Sequence, residues 1–285
     1  MVTMIASRHQ ETEFNRGSHI GTIVLQSVDD EPLNMNGLIA AYMSAIILGR
    51  IRADEIDSTP LVRGYDGARF DAIRQAANSG VWTPVTVDPR IVEVDFAGHS
   101  SVPLEETKFR NPGEHMYYCF CPPSPHHRVP LTKNPVVEAE KAELLAGLRR
   151  IYDGIEVAVK SANGYLLTSL PELIVPYSPR MKTPVVRAAE TKGQVFSRVY
   201  RMLVEAHEKH PRGIVKSYTH GQLIAIMDHL MLHEPPKYNP ARTHSNGNIS
   251  IFRYDIKKNG KLHPIDICIN CNPKQALGYF ICSHR

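Results

Sequence analysis

The chain alternates short apolar runs with longer segments whose apolar residues recur at helical spacing. Runs typical of strands lie at Val2 to Ser7, Glu55 to Thr59, Val85 to Val87, Ile91 to Val94, Gly213 to Tyr218, Asn248 to Tyr254, Pro264 to Ile269 and Leu277 to Cys282. Helical spacing marks about Gly37 to Ile51, Tyr65 to Asn78, Val186 to His210 and Gln222 to Leu232, with Asn36 at the expected cap of the first helix and Asn259-Gly260 at a hairpin turn. This alternation predicts an α/β fold with three layers, α/β/α, around a mostly parallel central sheet.

The pattern changes between about residues 103 and 185. A proline-rich aromatic stretch comes first, and Asn134-Pro135 then begins a predicted helix by the cap-then-proline rule. Four prolines follow between Pro171 and Pro184. We interpret 103–185 as an inserted lid-like segment within a single domain spanning residues 1–285.

Composition narrows the classes of protein and partner. The net charge is only +4, so nucleic acid is not an expected partner. No apolar run approaches the ~20 residues that cross a bilayer, so a membrane is not an expected partner either. The 5 cysteines, an odd number in a long chain, indicate reduced thiols and a cytoplasmic protein. The sequence leaves a homodimer open.

Two groups of cysteine and histidine residues have spacings that also occur in zinc sites. Cys268 and Cys271 are three apart, with Cys282 and His284 nearby. The second group consists of Cys119, Cys121, His126 and His127. Because Cys268 lies in an apolar run and no second paired motif follows, we favour buried free cysteines, and a zinc-stabilised interaction module is the alternative.

Arginine and histidine residues follow three predicted strands. Arg8-His9 ends the first strand, Arg63 follows the second, and His220-Gly221 lies between a strand and a helix. The carboxyl ends of parallel strands converge on one crevice, so we expect these side chains to meet there. Guanidinium groups match the oxygens of a phosphoryl group, each charge pair being worth about 4 kcal/mol at an effective dielectric near 20 before desolvation. The Gly221 amide adds a backbone donor, and no metal or other cofactor is required.

The same positive charges act on the histidines. Neighbouring cations disfavour imidazolium, which predicts a neutral, nucleophilic His9 near pH 7. Attack by such a histidine on phosphorus forms a phosphoenzyme and divides one displacement into two steps. An acidic residue must then protonate the leaving oxygen and later activate water.

The segment Arg8-His9-Gln10-Glu11-Thr12-Glu13-Phe14-Asn15 resembles the R-H-G-E-T-E-W-N signature of the histidine phosphatase superfamily, in its phosphoglycerate mutase-like branch. Further segments resemble markers of that family in the same order: Leu33 to Ala41, Ser58 to Arg63, Glu93 to Phe96, Glu190-Thr191, Ser217 to Gly221 and Asn246 to Ile251. Together they cover most of the chain outside the predicted insertion.

The resemblance implies a metal-independent phosphomonoesterase acting on a phosphorylated small molecule or protein. His9 would be the phosphorylated nucleophile, and Glu93 would be the proton donor. Arg8, Arg63 and His220 would bind the phosphoryl oxygens. The pocket lining implied by the resemblance is Thr12 and Asn15. Substrate choice would lie with the insertion, Arg16, His19 and the loop after His220.

The chain departs from the family pattern at several positions. Gln10 replaces the glycine after the nucleophile, and Ala97-Gly98-His99-Ser100 replaces the usual segment after the acid, so Asp95, Glu105 and Glu106 are the alternative proton donors. The R-H-Y-G continuation of the cofactor-dependent mutases is absent, which favours hydrolysis. A phosphate-binding relative with little or no activity and a phosphoryl-transfer mutase are the alternative functions.

Overall fold

The computed structural model describes residues 1–12, 32–93, 192–232 and 244–284. The strands in these ranges are β1 (Val2–Arg8), β2 (Glu55–Ser58), β3 (Val85–Val87), β4 (Ile214–Thr219), β5 (Ile249–Ile256) and β6 (Leu262–Cys271). The α-helices in them are α1 (Met35–Leu48), α2 (Val62–Ser79), α3 (Lys192–Lys209), α4 (Gly221–Leu232) and α5 (Pro273–Ser283). One 3-10 turn spans Pro89–Ile91.

The six strands form one mixed sheet in the order β3-β2-β4-β1-β5-β6. Strands β3, β2, β4 and β1 are parallel, whereas β5 and β6 are antiparallel to their neighbours. In the shared register, Arg8 of β1 pairs with Thr219 of β4, and Ser58 of β2 pairs with Tyr218. The carboxyl ends of three adjacent strands therefore lie level at one edge of the sheet.

Helices cover both faces of the sheet and confirm the predicted three layers. Strand β1 is buried on both faces, which explains its apolar run without alternation. Met4 points into the core formed with α3 and α4, and Ile5 points into the core formed with α1 and α5. Helix α2 packs on the same face as α1, beside β2 and β4.

Helix α1 begins two residues earlier than predicted, at Met35 instead of Gly37. The Asn34 side chain, rather than Asn36, accepts a hydrogen bond from the Gly37 amide at 2.8 Å and caps the helix. Any Cβ on Gly37 would overlap the Glu11 carbonyl, so glycine is needed for this close approach. The Asn34 amide also donates to that carbonyl at 3.1 Å, which ties the segment after His9 to α1.

Two of the predicted strands are wrong. From Pro89 to Ile91 the chain forms a 3-10 turn capped by Asp88, and no strand continues to Glu93. The run from Leu277 to Cys282 lies within α5. Helix α5 begins with a capping box between Asn272 and Gln275 and with Pro273 in its first turn, a start signal that outweighs a short apolar run.

Two of the cysteines are also placed differently from the prediction. Cys268 and Cys271 form a disulfide and are partly buried, so they are not buried free thiols. Residues three apart in a regular strand are about 10 Å apart, which argues against pairing. Here a bulge in β6, with Asn270 at φ 56°, brings the two Cα atoms to 6.6 Å. Cys282 is a free, exposed thiol.

Several predictions fall on residues that the structure does not describe. They concern the insertion at 103–185, the cluster of Cys119, Cys121, His126 and His127, and the residues Asn15, Arg16, His19, Asp95, Glu105 and Glu106. Within the described ranges, no group of three or more histidine, cysteine or acidic residues is arranged to hold a metal ion. No helix in those ranges is both long and apolar enough to span a bilayer.

Candidate active site

Residues from three strand ends meet at the edge of the sheet. Arg8 ends β1 and His9 follows it; Arg63 lies in the first turn of α2, directly after β2; His220 separates β4 from α4. Helix α2 begins three residues earlier than predicted, which is why Arg63 is helical. The rings of His9 and His220 lie 5.2 Å apart between centroids, and both are buried. The structure thus brings together the strand-end residues that the sequence singled out.

Hydrogen bonding fixes the tautomer of His9. Its Nδ1 lies 2.7 Å from the Gln10 carbonyl oxygen. A carbonyl can only accept, so Nδ1 carries the proton and Nε2 keeps its lone pair. The His9 amide donates to the Thr219 carbonyl at 3.1 Å, and the Gly247 amide donates to the His9 carbonyl at 3.2 Å. Backbone bonds on both sides therefore hold a ring whose Nε2 is available as a nucleophile.

The surroundings of His9 and His220 keep both rings neutral. Burial lowers the pKa of His9 well below its ordinary value, and the charges of Arg63 and Arg8 lower it further. Burial also lowers the pKa of His220 well below its ordinary value, with Arg63 as the next cause. Burial and the neighbouring arginine charges thus both favour the uncharged form of each imidazole.

His220 lies between a hydroxyl and a carboxylate. Its Nε2 is 3.1 Å from Thr59 Oγ1, and its Nδ1 is 3.6 Å from Glu93 Oε2. Glu93 is itself buried. The carboxylate predicted as proton donor therefore lies next to the histidine pair at the same edge of the sheet.

The Arg8 guanidinium is held between a carbonyl and a glycine. Nη1 donates to the backbone carbonyl of His244. A Cβ on Gly221 would lie only 3.1 Å from Arg8 Nε and 3.2 Å from its Cδ, so the arginine lies against the bare start of α4. Burial lowers the pKa of Arg8 to about 10, and the charge of Glu93 raises it in part. Arg8 stays cationic at neutral pH.

Arg198 in α3 holds the segment that carries Glu93. Its guanidinium donates to the carbonyl of Val92 at 2.9 Å and to the carbonyl of Arg90. The sequence interpretation missed this residue. The signal was present, because Arg198 lies on the apolar stripe of α3 between the buried residues Val195 and Met202, where a lone arginine is unusual.

Gln10, which replaces the family glycine, turns its side chain away toward α1. Its Nε2 donates to Ser44 Oγ at 3.0 Å. The Gln10 side-chain amide also lies against Gly247, which has a φ of 72°. A Cβ on residue 247 would overlap this amide. The added bulk is thus accommodated by a matching glycine. Thr12, predicted to line the pocket, is fully buried in a bridge with Leu33.

Comparison with solved structures places this arrangement in a known fold. The mycobacterial glucosyl-3-phosphoglycerate phosphatase in complex with VO3 matches with a TM-score of 0.56 at 16% identity, over 95% of this chain and 99% of that one. Phosphoglycerate mutase from Bacillus anthracis matches with a TM-score of 0.54 at 14% identity, over 97% and 94%. A variant of phosphoserine phosphatase from Entamoeba histolytica, in complex with phosphoserine, matches with a TM-score of 0.53 at 16% identity, over 94% and 96%.

These identities are low enough that the matches show the fold alone. No protein-family model and no curated protein sequence matches the chain. The chain therefore has the fold of phosphoglycerate mutase-like histidine phosphatases, as the signature around His9 predicted. The solved structures with this fold include both phosphatases and a mutase.

Proposed function

We propose that the protein is a metal-independent phosphomonoesterase that acts through a phosphohistidine intermediate on His9. The observation that carries the proposal is the state of His9, which is neutral, has its proton on Nδ1, and lies beside His220 in a buried site with two arginines. Such a ring presents the Nε2 lone pair to an electrophile, and the guanidinium charges match a phosphoryl group. The phosphatases that share the fold support the same chemistry.

In the first step, His9 Nε2 attacks the phosphorus of the monoester. The N–P bond forms as the ester P–O bond breaks, and the alcohol oxygen leaves with a proton from Glu93. Arg8, Arg63 and His220 hold the three non-bridging oxygens, with the Gly221 amide as a further donor. The histidine proton stays on Nδ1, where the bond to the Gln10 carbonyl stabilises the charge that develops on the ring.

In the second step, water attacks the phosphorus of phospho-His9. The Glu93 carboxylate takes the water proton, the N–P bond breaks, and inorganic phosphate leaves. Glu93 thus ends each turnover protonated, ready to act as acid again. Asp95, Glu105 and Glu106 are the alternative residues for this role.

Substrate recognition belongs to residues beyond the described core. We propose a phosphorylated small molecule or protein as substrate, selected by the insertion at about 103–185, Arg16 and His19, with Asn15 lining the pocket. The predicted loop after His220 is wrong, because α4 begins at Gly221. Thr12, also predicted to line the pocket, is fully buried. The single-domain organisation is part of the same proposal. The cytoplasmic location is part of it too, although the disulfide between Cys268 and Cys271 removes the argument from reduced thiols for these two residues.

The test is phosphate release from an aryl phosphate at pH 5 to 7 in the presence of a chelator. Wild type is compared with His9→Ala and with the control His207→Ala, whose ring bonds Asp255 at 2.6 Å elsewhere in the fold. We expect chelator-resistant turnover that only His9→Ala abolishes. Activity that survives in His9→Ala would refute the mechanism.

Two other results point to the alternative functions. Phosphate binding without turnover, across a panel of natural phosphates, would indicate a phosphate-binding relative that has lost catalysis. Transfer of the phosphoryl group to a second hydroxyl without release of inorganic phosphate would indicate a mutase.

A further inference from the structure

The loop of residues 244–248 contacts both residues at the end of β1. The His244 carbonyl accepts a hydrogen bond from Arg8 Nη1. The Asn248 carbonyl accepts from the Arg8 amide at 3.0 Å, and the Gly247 amide donates to the His9 carbonyl at 3.2 Å. The position of this 244–248 loop therefore sets where the arginine and the histidine of the site lie.

A buried contact between a histidine and a carboxylate anchors the first residue of this loop. His244 Nε2 lies 2.8 Å from Asp228 Oδ2, and neither side chain is exposed to solvent. Asp228 belongs to α4, the helix whose first residue, Gly221, lies against the Arg8 guanidinium. The pair consequently joins the two structures that contact Arg8, the 244–248 loop and α4.

We propose that Asp228 and His244 are positioning residues for Arg8. Their bond fixes the His244 peptide so that its carbonyl holds the Arg8 guanidinium in the orientation that binds phosphoryl oxygens. The proposal rests on the phosphatase function proposed for the site, because it gives Arg8 its role there.

The pair acts on Arg8 through geometry rather than through charge. The acidic group whose charge raises the pKa of Arg8 is Glu93, whereas Asp228 reaches the arginine through the side chain and the carbonyl of His244. Replacing both members of a buried hydrogen-bonded pair by apolar groups of the same shape can be nearly neutral for stability. Positioning of the His244 carbonyl gives a reason for the pair here, because the buried Arg8 guanidinium needs a fixed acceptor.

Asn270 supports the same loop from the opposite side. Its Oδ1 accepts hydrogen bonds from the Ser245 amide at 3.1 Å and from Asn248 Nδ2 at 2.9 Å. These contacts should keep Ser245 and Asn248 in place when the Asp228–His244 bond is removed. Disruption of the pair should therefore move the His244 carbonyl without unfolding the loop.

The experiment measures the affinity for inorganic phosphate by calorimetry and the position of Arg8 by crystallography. The single variants are Asp228→Leu and Asp228→Asn, and the asparagine keeps an oxygen acceptor. The double variant Asp228→Leu/His244→Leu removes both polar groups, so that neither is left buried without a partner. We expect about tenfold weaker phosphate binding for Asp228→Leu and for the double variant, and at most about threefold for Asp228→Asn.

A double-mutant cycle separates positioning from general destabilisation. In an Arg8→Ala background, Asp228→Leu should change phosphate affinity by less than about twofold, because its effect passes through Arg8. The matched control is Gln75→Leu, which removes buried hydrogen bonds to Ala53 and Thr83 beyond the site. The control should lower stability and leave phosphate affinity within about twofold of wild type.

Two results would overturn the proposal. One is an Arg8 that keeps its bond to the carbonyl of residue 244 in the double variant while phosphate binds as in wild type. The other is full additivity of Asp228→Leu and Arg8→Ala. Failure of the phosphatase function has a different signature: wild type then shows no turnover, whether or not it binds phosphate, yet Arg8 still loses its bond to the carbonyl of residue 244 in crystals of the double variant.

Discussion

Gly221→Ala tests the contact between Arg8 and the start of α4. The new methyl group would lie 3.1 Å from Arg8 Nε, 3.2 Å from Cδ and 3.4 Å from Cζ, whereas ordinary contacts begin near 3.4 Å. The guanidinium must therefore move by a few tenths of an ångström. A charge-assisted hydrogen bond contributes about 1.5–3 kcal/mol, so we expect a partial loss of about 1–2 kcal/mol in phosphate binding, or roughly 5- to 30-fold.

The backbone amide of residue 221 is retained in this variant, so the loss reports on Arg8 alone. Residue 221 is the first residue of α4, where helix propensity has little effect, so thermal stability should stay close to that of wild type. The control is Gly278→Ala in α5, where a Cβ meets nothing within 4 Å. Calorimetric titration with phosphate and thermal unfolding of both variants give the answer. Wild-type phosphate affinity in a stable Gly221→Ala protein would refute the inferred role of Arg8 in binding.

Three further predictions concern the pH profile, the proton donor and the disulfide. Because the pKa of His9 lies well below its ordinary value, protonation of His9 should lower kcat/KM for an aryl phosphate by less than about twofold between about pH 7.5 and 5.5, once the ionisation of the ester is allowed for. An imidazole with a pKa of about 6.5 would lose about tenfold over the same range. The unfolded chain then binds the extra proton, so urea unfolding should show the His9 contribution to stability intact above about pH 6.5 and falling as the pH drops from there toward the folded pKa. Arg198→Ala should free the segment carrying Glu93 and lower kcat about tenfold for an alkyl phosphate. The loss should be much smaller for an aryl phosphate, because its leaving group needs little protonation. An equal loss of kcat for both esters would count against Glu93 as the acid. Cys271→Ser should lower the free energy of unfolding by about 2 kcal/mol, as expected for so short a disulfide loop. Wild type should show the same loss in dithiothreitol. Coincident unfolding curves of wild type with and without reductant would exclude the bond.

The central sheet could be predicted because its strands are buried on both faces or follow strong turn signals. Strands β1, β2 and β4 lie within a residue of their predicted bounds, and these are the strands that carry the site. The segment from Leu277 to Cys282 failed because a short apolar run fits a helix as well as a strand. Attention to Asn272-Pro273 and Gln275 would have decided it, since they form a capping box.

The candidate site also has a part that the sequence predicted and a part that it did not. Strand ends predicted the meeting of His9, Arg63 and His220, because parallel strands converge by topology. The contacts that hold these residues come from positions distant in sequence, such as Arg198 on the Val92 carbonyl and His244 on Arg8. No local pattern specifies such pairs. The disulfide was missed for a related reason, as it depends on a bulge that the strand pattern does not show.

The most direct test of the account is detection of the phosphoenzyme. Wild type is mixed with excess aryl phosphate, quenched within milliseconds into alkaline denaturant, and digested for mass spectrometry. The account predicts one added phosphoryl group on the peptide containing His9, stable in base and lost in acid, and absent from His9→Ala. Turnover with no phosphorylated His9 at any time point, or phosphorylation of another residue, would contradict it.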